Sequence, residues 1–151
     1  MVVFSFCSSC QEFQQFSTHL DIVFVLDTTG SMSSYIKQTK LIIESTIKKY
    51  QERAQDVKFG IVAYRDFPPE DTSYITKILQ LSDASIALGF LKELNAEGGG
   101  DTPEAVLKAL YDASTNIEWR NLQNDEKTKY KKGKNHQITY FSLCFFCYNN
   151  K

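Results

Sequence analysis

The sequence predicts an α/β fold: a doubly wound, Rossmann-like and mostly parallel sheet with helices on both faces. Three observations carry this. Residues 20–27, Leu20-Asp21-Ile22-Val23-Phe24-Val25-Leu26-Asp27, form a near-continuous apolar run, as expected of a parallel strand covered on both sides. Helical and strand periodicities then follow in the order strand, helix, strand, strand, helix, helix, strand, an α/β layout. Finally, the first strand stops at an acid and continues into hydroxyl residues at alternate positions, Asp27-Thr28-Thr29-Gly30-Ser31. Open α/β sheets bind ligands at the carboxyl ends of such strands.

Taken in order, residues 1–18 read as a tail with no sustained period, and 19–151 as one partial domain. A long helix is expected over 32–54. Met32, Ile36, Ile43, Ile47 and Tyr50 share one stripe there, and Lys37, Lys40, Glu44, Lys48 and Lys49 lie mostly outside it. Residues 56–64 read as a second strand ending in Arg65-Asp66, and Pro68-Pro69 with the flanking acids breaks regular structure. A third strand, 74–81, follows closely enough to form a hairpin with the second. The helix predicted over 83–94 has Asp83 as N-cap and Ile86, Phe90, Leu91 and Leu94 as its apolar positions.

Gly98-Gly99-Gly100-Asp101 interrupts the pattern, and Thr102-Pro103-Glu104 opens another helix, with proline behind a capping residue. That helix is expected to bury Ala105, Val106, Ala109, Leu110 and Ala113 and to fade near Trp119, a packing anchor. Residues 120–136 read as a polar loop. The five lysines between Lys127 and Lys134 are a solvated loop rather than a nucleic-acid patch. An intensely apolar strand, 138–148, lies within the atypical end at 137–151.

Composition narrows the function. The chain has 151 residues, 42% apolar and 23% charged, which suits one soluble globular domain. A net charge of −1 gives no general attraction to nucleic acid or to an anionic membrane. The start lacks a basic region and a long apolar run, so no secretory signal is read, and a cytoplasmic location is expected. Cys7/Cys10 and Cys144/Cys147 make two Cys-x-x-Cys pairs. The second falls inside an expected strand, where positions three apart face opposite sides, so free thiols are expected rather than a zinc site.

Three segments are expected to converge at the carboxyl edge of the sheet: Asp27-x-Thr29-x-Ser31, the Gly98–Thr102 loop, and Arg65-Asp66. A carboxylate with two hydroxyls offers only oxygens, which suits a hard divalent cation, most naturally magnesium. The alternative is that Asp27–Ser31 only caps the first helix, although a cap needs no alternating hydroxyls. Asp66 beside its prolines reads more as a turn or salt-bridge residue than as a neighbour of the metal.

Asp27-Thr28-Thr29-Gly30-Ser31-Met32 resembles the Asp-x-Ser/Thr-x-Ser metal-ion-dependent adhesion motif of von Willebrand factor type A domains. Two further stretches extend the resemblance, Phe59-Gly60-Ile61-Val62-Ala63-Tyr64-Arg65-Asp66-Phe67-Pro68 and Gly98-Gly99-Gly100-Asp101-Thr102-Pro103-Glu104-Ala105. They are similar to the subgroup found in alpha-type protein kinases and in hemicentin-like proteins, over about residues 20–120. The resemblance implies a sheet order of 3-2-1-4-5-6 with the third strand antiparallel. It also implies a protein-binding module rather than an enzyme. Asp27, Thr29 and Ser31 would hold Mg2+ (or Mn2+ or Ca2+), Asp66 would stand in the second sphere, and an acidic residue of a partner protein would complete the coordination.

The family's second loop supplies a threonine; here Asp101 stands at that place with Thr102 beside it, and either could coordinate. The family also uses an acid after the fourth strand, whereas no acid follows Glu126 in this sequence. Weak metal binding and a chain cut short after the fourth strand are the corresponding expectations. Two other functions stand beside this one. The chain could be the regulatory fragment of a longer signalling protein such as an alpha-type kinase. An aspartate-based phosphohydrolase would need a second acid two residues after the first, where Thr29 stands.

Overall fold

Hydrophobic alternation along two central strands organises the fold. In the computed structural model, which describes residues 19–99, 105–120 and the backbone of 139–143, β1 (His19–Asp27) lies parallel to β2 (Asp56–Tyr64). Their side chains alternate between two separate cores, as a period of two requires. Ile22, Phe24 and Leu26 of β1 join Phe59, Ile61 and Ala63 of β2 on one face. There they meet Ile43 and Ile47 of α1 (Ile36–Arg53) and Ala84, Ala87 and Leu91 of α2 (Ala84–Glu93). Val23, Val25, Val62 and Tyr64 face the other way, onto Ala109 and Ala113 of α3 (Val106–Thr115) and onto Ile117. Each large side chain buried this way contributes about 1.5–3 kcal/mol, so the two-sided core is the main source of stability.

The sheet is completed by β3 (Thr76–Ser82), antiparallel to β2, and by β4 (Thr139–Leu143), parallel to β1. The order is β3-β2-β1-β4, with the one antiparallel strand where the resemblance implied it. Gly60 has a packing reason: a Cβ there would lie 3.1 Å from Val23 Cγ2 and 3.3 Å from the Leu79 carbonyl oxygen. At the amino end of the sheet Arg120 grips β1. Its Nε donates to Asp21 Oδ1 at 2.6 Å, its amide to Asp21 Oδ2 at 3.1 Å, and another nitrogen to the Leu20 carbonyl at 3.0 Å, with Asp56 also paired to it. Trp119 packs beside the α3 core and donates from Nε1 to the Ala113 carbonyl at 3.1 Å.

Several boundaries and facings differ from the sequence reading. The helix expected from residue 32 begins at Ile36 and is preceded by a 3-10 turn, Gly30–Ser34. The cause is local: the Met32 and Tyr35 amides bond back three residues, to Thr29 and Met32, tightening the chain before α-helical bonding starts. The third strand begins at Thr76 rather than at residue 74, because Tyr74 turns toward the β1 loop. Asp83 holds the position before α2, but its carboxylate pairs with Lys58 Nζ at 2.6 Å and makes no cap bond.

Ile86 is exposed, since α2 turns Ala84, Ala87 and Leu91 inward. Leu110 likewise points outward, and Asp112 occupies the inner face of α3. That burial is compensated: Thr76 Oγ1 and Asn116 Nδ2 donate to the Asp112 carboxylate at 2.7 and 2.8 Å, and Lys108 pairs with it. The two Cys-x-x-Cys pairs and the lysine-rich loop lie outside the described residues.

Candidate functional site

Beyond the last hydrogen-bonded pair of β1 and β2 the chain turns sharply, and the turn is built from its own polar side chains. Asp27 Oδ1 accepts from the Thr29 amide at 2.9 Å and from the Thr29 hydroxyl at 2.7 Å. Thr29 Oγ1 lies 2.9 Å from Ser31 Oγ. The acid and both alternate hydroxyls are thus gathered at one spot on the sheet rim. Helix capping does not account for them. Thr29 precedes the 3-10 turn and Tyr35 precedes α1, yet neither makes a side-chain cap bond. Among the described residues no Lys, Arg or His pairs with Asp27, and both bonds it accepts fall on one oxygen.

The glycine loop lies directly against this turn. The Gly30 amide donates to the Gly98 carbonyl at 2.7 Å, and the Glu97 amide donates to the Thr28 carbonyl at 3.1 Å. Such an approach needs missing side chains on both partners. A Cβ at Gly30 would stand 2.8 Å from the Gly98 carbonyl oxygen, and one at Gly99 would stand 3.0 Å from Thr29 Cβ. Gly98 and Gly99 also have φ of +66° and +74°, values that L side chains rarely adopt. Asp101 and Thr102, the two candidate ligands of this loop, lie outside the described residues.

The third segment reaches the same rim. The Arg65 carbonyl accepts from the Ala105 amide at 3.1 Å, tying the entry of α3 to the end of β2. Asp66 is only 4% exposed. One of its oxygens accepts from the Phe67 amide at 2.9 Å, and the other is buried with no hydrogen-bond partner among the described residues. The first bond makes it a turn residue; the second oxygen is the kind of unmet buried acceptor that folds rarely leave.

Four residues at this end escaped sequence reading: Thr28, Asp71, Ser73 and Tyr74. Thr28 is fully buried, and its hydroxyl bonds the Tyr64 carbonyl at 2.8 Å and Tyr74 Oη at 2.7 Å. Its signal was available, because strand alternation sends it away from its neighbours Asp27 and Thr29. Asp71 accepts from the Ser73 amide at 2.7 Å and hydroxyl at 2.5 Å. The Ser73 hydroxyl holds the Asp71 carboxyl below its ordinary value of 3.8; the Ser73 amide and the Arg65 guanidinium act the same way, against the opposing effect of burial. The pattern Asp71-x-Ser73 repeats the Asp27-x-Thr29 turn, and that repetition was its clue.

The donor set at the β1 turn is one carboxylate and two hydroxyls, which fits a hard cation that keeps several waters. No group of three or more His, Cys, Asp or Glu suited to a metal occurs among the described residues.

Comparison with known proteins now fixes the family. The pattern of the von Willebrand factor A domain matches residues 21–119, from β1 through the close of α3. The chain belongs to the von Willebrand factor A domain family. It is 34% identical over 108 residues to the alpha-protein kinase vwkA of Dictyostelium discoideum, a match covering 67% of this chain and 16% of the kinase. Against the von Willebrand factor A domain-containing protein 7 of Mus musculus and of Rattus norvegicus it is 35% and 36% identical over 101 residues, 63% of this chain and 11% of each relative. The chain therefore spans a small part of the curated relatives it matches. The A domain described above contains all three segments of the rim within the matched span.

Proposed function

We propose that this A domain is a protein-interaction module whose contact with its partner runs through a divalent cation at the β1 rim. Asp27, Thr29 and Ser31 hold the ion, directly or through water. Asp101 or Thr102 contributes from the glycine loop, Asp66 stands in the second sphere, and an acidic side chain of the partner protein completes the coordination. Magnesium is the natural ion, with manganese or calcium as substitutes, since every donor is a hard oxygen. The observation that carries this reading is the chain from the Asp27 carboxylate to the Thr29 hydroxyl at 2.7 Å and from that hydroxyl to Ser31 Oγ at 2.9 Å, with no protein cation on Asp27 among the described residues.

Calorimetric titration of Mg2+ or Mn2+ into the wild-type chain and into Asp27→Ala tests it. A binding isotherm for wild type that vanishes in Asp27→Ala supports the reading, and indistinguishable traces defeat it. The similarity to an alpha-protein kinase favours a second setting for the same module, as the regulatory part of a longer signalling protein. Phosphohydrolase chemistry is disfavoured by the site itself: Thr29 stands where the second acid is needed, and its hydroxyl donates to Asp27 Oδ1.

A further inference from the structure

Behind the cation rim lies a buried polar hub centred on Arg65. Its side chain is 8% exposed and is gripped from several loops. One terminal nitrogen donates to Ser73 Oγ at 2.8 Å and stands 3.8 Å from Asp71 Oδ2. The other donates to the Asn95 carbonyl at 3.1 Å and stands 3.6 Å from Glu97 Oε2. The guanidinium lies 4.6 Å over the Tyr74 ring, and Tyr74 Oη reaches Thr28 Oγ1 at 2.7 Å. A planar fork with several fixed donors can bridge segments in this way; an ammonium cannot.

We propose that Arg65 and Asp71 are positioning residues: they clamp the Gly98–Gly99 loop onto the Thr29–Gly30 turn and so set how tightly the cation is held. The inference rests on the cation reading above. Two sides of the clamp bear on one loop. From one side Arg65 holds the chain at Asn95 and Glu97, just before the glycines. From the other, Asp71 Oδ2 occupies the space a Cβ at Gly98 would need, so the carboxylate backs the glycine whose carbonyl accepts the Gly30 amide. Through Tyr74 the same guanidinium also touches Thr28, whose carbonyl accepts the Glu97 amide.

A hub optimised for stability alone would satisfy its buried atoms. This one leaves Arg65 Nε without a hydrogen-bond partner among the described residues, while the Asp71 carboxylate is held by Ser73 and by the Gly99 backbone of the clamped loop itself. Outer groups that orient a metal's ligands typically alter its affinity by 10- to 100-fold when removed.

The experiment compares wild type, Arg65→Lys, Arg65→Met, Asp71→Asn and Tyr74→Phe in two measurements on the full chain. Without metal, amide hydrogen exchange is read at Gly30 and Glu97, which donate across the two loops, and at Val25 and Val62 in the sheet. With Mg2+, affinity is read by calorimetry. The clamp predicts that exchange at Gly30 and Glu97 quickens about tenfold or more in Arg65→Met while Val25 and Val62 keep their rates, and that Mg2+ affinity falls by about the same factor. Arg65→Lys fails to rescue, and Tyr74→Phe gives a smaller change of the same kind.

Equal acceleration at all four amides, or none at Gly30 and Glu97, overturns the proposal; so does unchanged Mg2+ affinity once the loop has loosened. Should Arg65→Met not fold, Asp71→Asn and Tyr74→Phe carry the same comparison. Failure of wild type to bind Mg2+ removes the cation reading, and the exchange data still decide whether the clamp holds the loop.

Discussion

β1 carries an aspartate at each end, and the two are treated in opposite ways. Asp21, at the amino end, is 6% exposed and is met by the Arg120 guanidinium and amide on both oxygens. Among the described residues Asp27, at the carboxyl end, receives a neutral amide and a neutral hydroxyl and no cation. A buried acid is stable when paired, and Asp21 follows that rule as a structural tie between the strand and the segment after α3. Asp27 sits instead among hydroxyl groups and glycines, the surroundings from which the proposed cation role is argued. One residue type at the two ends of one strand thus meets opposite surroundings.

Breaking the structural end has the largest expected effect. Arg120→Met leaves Asp21 buried without its Arg120 partner, and loss of one partner of such a pair costs about 3 kcal/mol, read as a lower denaturant midpoint. Mg2+ binding should be unaltered in whatever fraction remains folded. Asp27→Asn is the counterpart. Without metal its midpoint should lie within about 0.5 kcal/mol of wild type, as for a partly exposed site outside the core. The two proteins should separate when Mg2+ is added, because a hundredfold excess over Kd stabilises wild type by about 2.7 kcal/mol and leaves Asp27→Asn unmoved.

Gly98→Ala sharpens the contrast from the loop side. Its positive φ and the crowding from Asp71 cost about 2 kcal/mol, and the same change should abolish Mg2+ binding, whereas Gly89→Ala, with open space around its Cβ, should leave binding intact. Changing pH is the mildest probe. The Asp71 carboxyl titrates below its ordinary value of 3.8 in the fold, so its contribution is complete above that pH and is lost as acid carries the solution down through the folded value. The denaturant midpoint of wild type should therefore fall more steeply than that of Asp71→Asn as the pH drops below about 3.8.

Much of the scaffold was legible because it rests on periodicity. The run Ile22–Leu26 and the alternation Phe59, Ile61, Ala63 against Val62 and Tyr64 specify strands covered on both faces, and the sheet has them. The Asp27-x-Thr29-x-Ser31 spacing was equally readable, since residues two apart after a strand return to the same side. What sequence could not show was the layer behind it. Arg65 draws together Ser73, Asn95, Glu97 and Tyr74, partners on two separate stretches of chain, and no local pattern encodes contacts that only the tertiary fold creates. The same reasoning explains Ile86 and Leu110: a helical stripe fixes a face within about one residue, and packing against the sheet chose the neighbouring positions.

The central claim is that the Asp27 turn, with its backing glycine loop, is a cation-binding rim. Manganese titration followed by electron paramagnetic resonance tests it most directly, with wild type and Asp27→Ala measured side by side. The account predicts a bound-manganese signal saturating at about one ion per chain in wild type and absent from Asp27→Ala. Equal manganese uptake by the two proteins, or none by wild type at millimolar metal, would contradict it.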